Sequence, residues 1–144
     1  MEQMELVSPD LALSLPLDPY APRAARYHMA QVDRPSPDLR DAVVLLTSEL
    51  VTRAVQLCDS REATIELRAW MPYDVVRVEL HAPTELLGAS PARAAQRDYS
   101  LLLLDQLADR WSLEPYDGLA CMWFEIDRHG LREGQSGRVG SAGA

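Results

Sequence analysis

The chain predicts an α/β protein of the α+β two-layer kind, because its apolar residues change period along the sequence in the order β-α-α-β-β-α-β. Three observations carry this: a long segment with apolar residues at spacings of three and four, a pair of alternating segments around a Pro-Tyr-Asp turn, and a closing apolar strand. At 144 residues it is one ordinary domain, long enough to bury a core.

The elements follow in order. Leu11, Leu13 and Leu15 alternate with Ala12 and Ser14, a short strand that ends at Pro16. Ala21 to Val32 reads as a helix carrying Arg23 and Arg26, and Pro35-Ser36-Pro37 breaks the chain after it. Ser36 is a good N-cap, Pro37 suits the first helical position, and Asp38 and Asp41 complement the positive end of the helix dipole. The long helix then runs from Pro37 to Cys58, on the order of 33 Å. Leu39, Val43, Leu46, Leu50, Ala54 and Leu57 form its buried stripe, widened by Val44, Val51 and Val55. Ala63, Ile65, Leu67 and Ala69, then Val76, Val78 and Leu80, alternate with polar residues as two strands of a hairpin, with Pro72-Tyr73-Asp74 as the turn. After an irregular stretch from Pro83 to Ala95, Tyr99 to Trp111 has a helical period, and its wide apolar surface implies packing on a sheet. Leu119 to Asp127, LACMWFEID, is the last strand.

The boundaries predicted are a flexible N-terminus at 1–9, one domain over 10–129, and a disordered tail over 130–144 that holds five of the seven glycines. The 14 basic residues are all arginine, against 22 acidic ones, and the net charge of −8 disfavours nucleic acid as a partner. Cys58 and Cys121 stand far apart in apolar contexts, as reduced thiols do. The acidic opening MEQMELVSPD has no signal-peptide order and no apolar run is long enough for a bilayer, so the reading is a cytoplasmic protein without a membrane partner. His28 and His129 are isolated, and no pair of histidines, cysteines or carboxylates has metal-ligand spacing.

The stretch Leu45 to Val55, LLTSELVTRAV, resembles the N-box helix of the histidine-kinase-like (GHKL) ATPase fold, in the branch of bacterial anti-sigma-factor serine kinases, whose pattern is roughly S-E-L-x-T-N-A. LADRWSLEPYDGLACMWFEI is similar to that family's closing pattern, L-A-D-x-W-G followed by G-K-T-V-W-F-E-L. The resemblance implies, over residues 10 to 127, a mixed sheet covered on one face by helices. It also implies roles for residues: Glu49 takes the place of the glutamate that activates a hydroxyl nucleophile, and Arg53 stands where an asparagine carbonyl would ligate Mg²⁺. A guanidinium has five donors and no acceptor, so Arg53 cannot ligate the ion.

Other parts of the implied nucleotide pocket are replaced as well. In VELHAPTELL, His81 occupies the slot of the aspartate that would accept from adenine, and no glycine precedes Gly88. The phosphate-lid turn G-x-G-L matches Arg97-Asp98-Tyr99-Ser100-Leu101, with Asp98 and Ser100 in the glycine slots. Asp98 would repel a phosphate. Leu119 and Ala120 stand near Gly118 where the family has a lysine, and the chain has no lysine at all. Each charge-assisted bond contributes about 1.5–3 kcal/mol, so losing several removes a micromolar site. Glu49, four residues before Arg53, is placed for an i,i+4 ion pair that fills the Mg²⁺ position.

The resemblance leaves protein surfaces as the working parts. It implies a homodimer that binds a sigma factor or a STAS-type anti-sigma-factor antagonist, with Arg26 in APRAARYH as the partner-binding residue. The expected function is regulation by protein–protein binding in partner switching, with no cofactor. The alternative is an active serine/threonine kinase that uses ATP and Mg²⁺ with Glu49 as base. A third reading, from another class, is an unrelated α+β dimer that holds a small acidic metabolite on Arg53 and His81.

Overall fold

The computed structural model describes residues 8–32, 37–59, 62–72, 74–87 and 99–128. The readings placed on Ser36, Tyr73, Gly88, Asp98, His129 and the glycine-rich tail lie outside the described residues, as does most of the 1–9 segment. Among the described residues the elements are β1 (Leu11–Pro16), α1 (Ala21–Ala30), α2 (Pro37–Leu57), β2 (Thr64–Trp70), β3 (Val75–Ala82), a 3₁₀ turn (Thr84–Leu86), α3 (Tyr99–Leu107), β4 (Arg110–Tyr116) and β5 (Leu119–Asp127).

The strands form one five-stranded sheet in the order β1-β2-β3-β5-β4. Every neighbouring pair is antiparallel, which corrects the mixed sheet that the sequence predicts. The reason lies in where β5 is inserted. β3 and β4 run parallel and are joined through α3, the arrangement of a crossover unit, but β5 returns from the β4 turn and slots between them. Both edge strands contain proline, Pro16 in β1 and Pro115 in β4, each of which removes a backbone donor that a further strand would need.

Alternation splits the sheet into two faces. Val76, Val78, Leu80 and Ala82 of β3 pair with Ile126, Phe124, Met122 and Ala120 of β5, and all of them join Ile65, Leu67 and Ala69 in the apolar core. The helices pack on this face. Val43, Leu46, Leu50, Val51 and Ala54 of α2 and Ala21, Ala25 and Met29 of α1 belong to the same core, so the stripe read from the spacing of α2 is the one that is buried. The loop into α1 is closed locally, where Asp18 Oδ1 accepts from the N–H of Tyr20 at 2.9 Å.

Two expectations about the C-terminal third are corrected. Helix α3 ends at Leu107, not at Trp111. Ala108 still donates to the Leu104 carbonyl at 2.9 Å, but the N–H of Asp109 turns to the Glu125 carbonyl at 2.8 Å, so the chain enters the sheet there. Residues 110–116 then form a strand that the helical reading concealed. The missed signal is Asp117-Gly118: both have positive φ, 54° and 80°, and they make the two-residue turn between paired Tyr116 and Leu119. In addition, α3 buries a narrow stripe of Ser100 and Leu104, while Leu102 and Leu107 are exposed. No helix among the described residues is long and apolar enough to cross a membrane.

Phe124 is fully buried at the centre of the core, so Phe124→Ala is expected to lower the unfolding free energy by about 3–5 kcal/mol. Urea titration checks this; a loss near zero would show that the core does not close around β5.

Candidate functional site

The sheet separates the predicted site residues into two groups. On the helix side, Glu49 and Arg53 lie one turn apart on α2, both half-buried. The ion pair expected between them is not among those formed by the described residues. An exposed helical pair of this kind contributes only about 0.2–0.5 kcal/mol, too little to impose the contact. Ser100 is buried in the first turn of α3, and Asp98 lies outside the described residues. Arg26 is exposed on α1, beside exposed Arg23 and Tyr27.

His81 is on the other side of the sheet. Its strand partners are Glu66 and Cys121, whereas the helix-side positions of β3 are Val76, Val78, Leu80 and Ala82. This corrects both the adenine slot given to His81 and the metabolite site shared by Arg53 and His81: the sheet stands between those two side chains. The residue that the end of β3 offers to the helix side is Ala82, which is buried and has no side-chain acceptor. There β3 exits beside the end of α2, with Cys58 Sγ 4.0 Å from the Pro83 carbonyl oxygen and the N–H of Asp59 donating to Glu85 Oε1 at 3.2 Å.

The outer face of the sheet carries a buried charged network that the sequence does not reveal. Arg77 Nε donates to Glu79 Oε2 and Arg77 Nη1 to Glu125 Oε2, both at 2.8 Å. Arg110 Nε donates to Glu125 Oε1 at 2.7 Å and its other nitrogens reach Asp127. The Trp123 ring lies against Arg77, with Cζ 4.2 Å from the ring centroid, and its Nε1 donates to Glu114 Oε2 at 2.9 Å. Arg77, Glu79 and Glu125 keep only 4–6% of their surface exposed.

Glu79, His81 and Cys121 form the convergent corner of this network. Glu79 Oε1 lies 2.9 Å from His81 Nε2, and Cys121 Sγ lies 3.8 Å from the same nitrogen. The Tyr116 ring packs edge-on against His81 at 5.7 Å between centroids. Burial pushes the Glu79 carboxyl up, but hydrogen bonds from His81 and Arg77, with the charges of both, outweigh it and hold the group below its ordinary value. Arg110 is pushed in the direction of its charged form by Asp127 and then Glu125.

Thiol and carboxylate face one ring nitrogen, so this is not the relay of a thiol nucleophile. There the imidazole takes the thiol proton on one nitrogen while a carboxylate orients the other. What the corner offers is three donor atoms of different softness around one point. Sequence spacing shows no ligand pattern because residues 79, 81 and 121 meet only through the β3–β5 register. The alternation of Arg77, Glu79 and His81 was the available local signal, and it marks a shared face without showing that the face is buried. No protein-family model and no curated protein matches the chain.

The ionised Glu79 stabilises the fold above the ordinary carboxylate range, and that contribution is lost as the pH falls through its depressed value. Glu79→Gln is therefore expected to cost about 1.5–3 kcal/mol at neutral pH, a deficit that closes on acidification below pH 4.5. Denaturation of both proteins across the acid range measures it; a deficit that does not vary with pH would reject the assignment.

Proposed function

We propose that this protein is a regulatory binding module of the anti-sigma-factor type, acting by protein–protein contact in bacterial partner switching, with a nucleotide site that no longer gathers a magnesium-bound triphosphate. The observation that carries the reading is the side chain at position 53. On the half-buried face of α2, one turn after Glu49, the chain presents a guanidinium where the resembled helix has a metal-ligating carbonyl. Ala82 adds to it. A buried methyl at the end of β3 accepts nothing from an adenine amino group, which makes the replacement of that contact more complete than an imidazole would.

The partner in this reading is a sigma factor or a STAS-type anti-sigma-factor antagonist, and the protein pairs with itself. Arg26 supports the choice of α1 as the contact surface: it stands exposed with Arg23 and Tyr27, and arginine and tyrosine are the residue types that most often anchor interfaces. The two-layer architecture, with helices on one sheet face, is compatible with the resembled fold, and the all-antiparallel pairing is a departure from the mixed sheet it implied.

Neither ATP nor ADP with Mg²⁺ is expected to raise the melting temperature, since a ligand at one hundred times its dissociation constant would add about 2.7 kcal/mol of stability. A clear upward shift in a thermal melt would sink the reading and favour an active kinase with Glu49 as base. On the partner side, Arg26→Glu is expected to weaken binding to the cognate sigma factor or antagonist at least about tenfold, equivalent to 1.4 kcal/mol, by titration calorimetry with purified proteins. Unchanged affinity would remove α1 from the interface.

A further inference from the structure

The geometry points to a transition-metal site of the zinc type on the outer face of the sheet, held by Glu79, His81 and Cys121. Oε1, Nε2 and Sγ of the three residues all lie within 4.8 Å of one another, and each residue is buried. Zinc bonds of about 2.0–2.3 Å in a tetrahedron set ligand atoms about 3.3–3.6 Å apart. The 2.9 Å from Nε2 to Oε1 and the 3.8 Å from Nε2 to Sγ bracket that spacing, and Oε1 and Sγ, which lie within 4.8 Å, draw together as the ion is seated.

Charge and softness select the same class of ion. A carboxylate, a thiolate and a neutral imidazole sum to two negative charges, which a divalent cation cancels within a network whose other ions are already paired. A thiolate and an imidazole favour zinc or cobalt over magnesium or calcium, which take oxygen. Arg77 supplies the outer support. It holds Oε2 of Glu79 from the far side, which orients the carboxylate and leaves Oε1 turned to the other two donors.

Binding balances as follows. Cys121 releases its thiol proton to solvent, the proton that His81 Nε2 donates to Glu79 moves to Nδ1 of a neutral ring or to solvent from a charged one, and the Nε2–Oε1 hydrogen bond is exchanged for two metal bonds. Three protein ligands leave a fourth position for water or a donor brought by another molecule, the pattern of an exchangeable site and not a closed structural one. His81 and Cys121 are buried, with 6–7% of their surface exposed, and lie on the sheet face opposite the apolar core. The site is separated by the sheet from Glu49, Arg53 and Arg26 and does not rest on the proposed function.

The test is titration of the reduced, full chain with cobalt(II) chloride, followed by zinc. Expected is saturation at a single equivalent with a thiolate-to-cobalt charge-transfer band in the near ultraviolet and strong visible bands of tetrahedral cobalt, all removed by zinc. Cys58→Ser should keep the band, while Cys121→Ser and His81→Gln should abolish it or weaken binding at least tenfold, with folding checked by circular dichroism. If Cys121→Ser does not fold, His81→Gln against Cys58→Ser reads the same assignment. No band from folded wild-type protein, or a band that survives Cys121→Ser or His81→Gln with less than a tenfold loss of affinity, overturns the proposal.

Discussion

The strict alternation of β3 is the constraint on which the rest of this structure depends. As the middle strand, β3 cannot leave either face unsatisfied: Val76, Val78, Leu80 and Ala82 are committed to the helices, and Arg77, Glu79 and His81 to the opposite side. A one-residue slip would drive three polar side chains into the apolar core and expel four apolar ones. The hydrophobic face therefore fixes the register, and the register in turn brings Glu125 and Cys121 opposite Arg77 and His81. Charge pairing on one side is a consequence of apolar packing on the other.

That packing also explains the topology. α1 and α2 take the chain from β1 back to an antiparallel neighbour, and small residues Ala21 and Ala25 on the buried side of α1 let it lie close over α2. The crossover through α3 would leave β3 and β4 as a parallel pair, but the tight Asp-Gly turn sends β5 directly back. β5 has apolar residues to match β3 on the helix side and ionic ones to match it on the other, so it fills the gap. Arg110 and Asp127, at the open end of the β4–β5 pair, close the network toward solvent.

The candidate residues divide along the same line. Glu49, Arg53, Ser100 and Ala82 belong to the helix side. His81 shares a strand with Ala82 but not a face. Its parity excludes it, because a strand residue and its neighbour face opposite layers. Glu79 and Arg77 are the polar half of the β3 alternation, and both are buried, with Trp123 against Arg77.

Taken alone, the sequence determined what depends on neighbours a few positions away. The buried stripe of α2, the alternation of β1, β2 and β3 and the bounds of β5 follow from local patterns, the first two from periods of 3.6 and 2 that are properties of the backbone. The Asp117-Gly118 turn was equally local, and β4 was hidden only because the leucines before it extended a helical period past Leu107. The tertiary structure alone decided the order of strands, the antiparallel pairing of each described neighbour, which side of the sheet each polar residue serves, and the meeting of Glu79 and His81 with Cys121. Those are set by pairing between segments some forty residues apart, where the sum of apolar burial over the whole sheet selects one register and no local pattern records the choice.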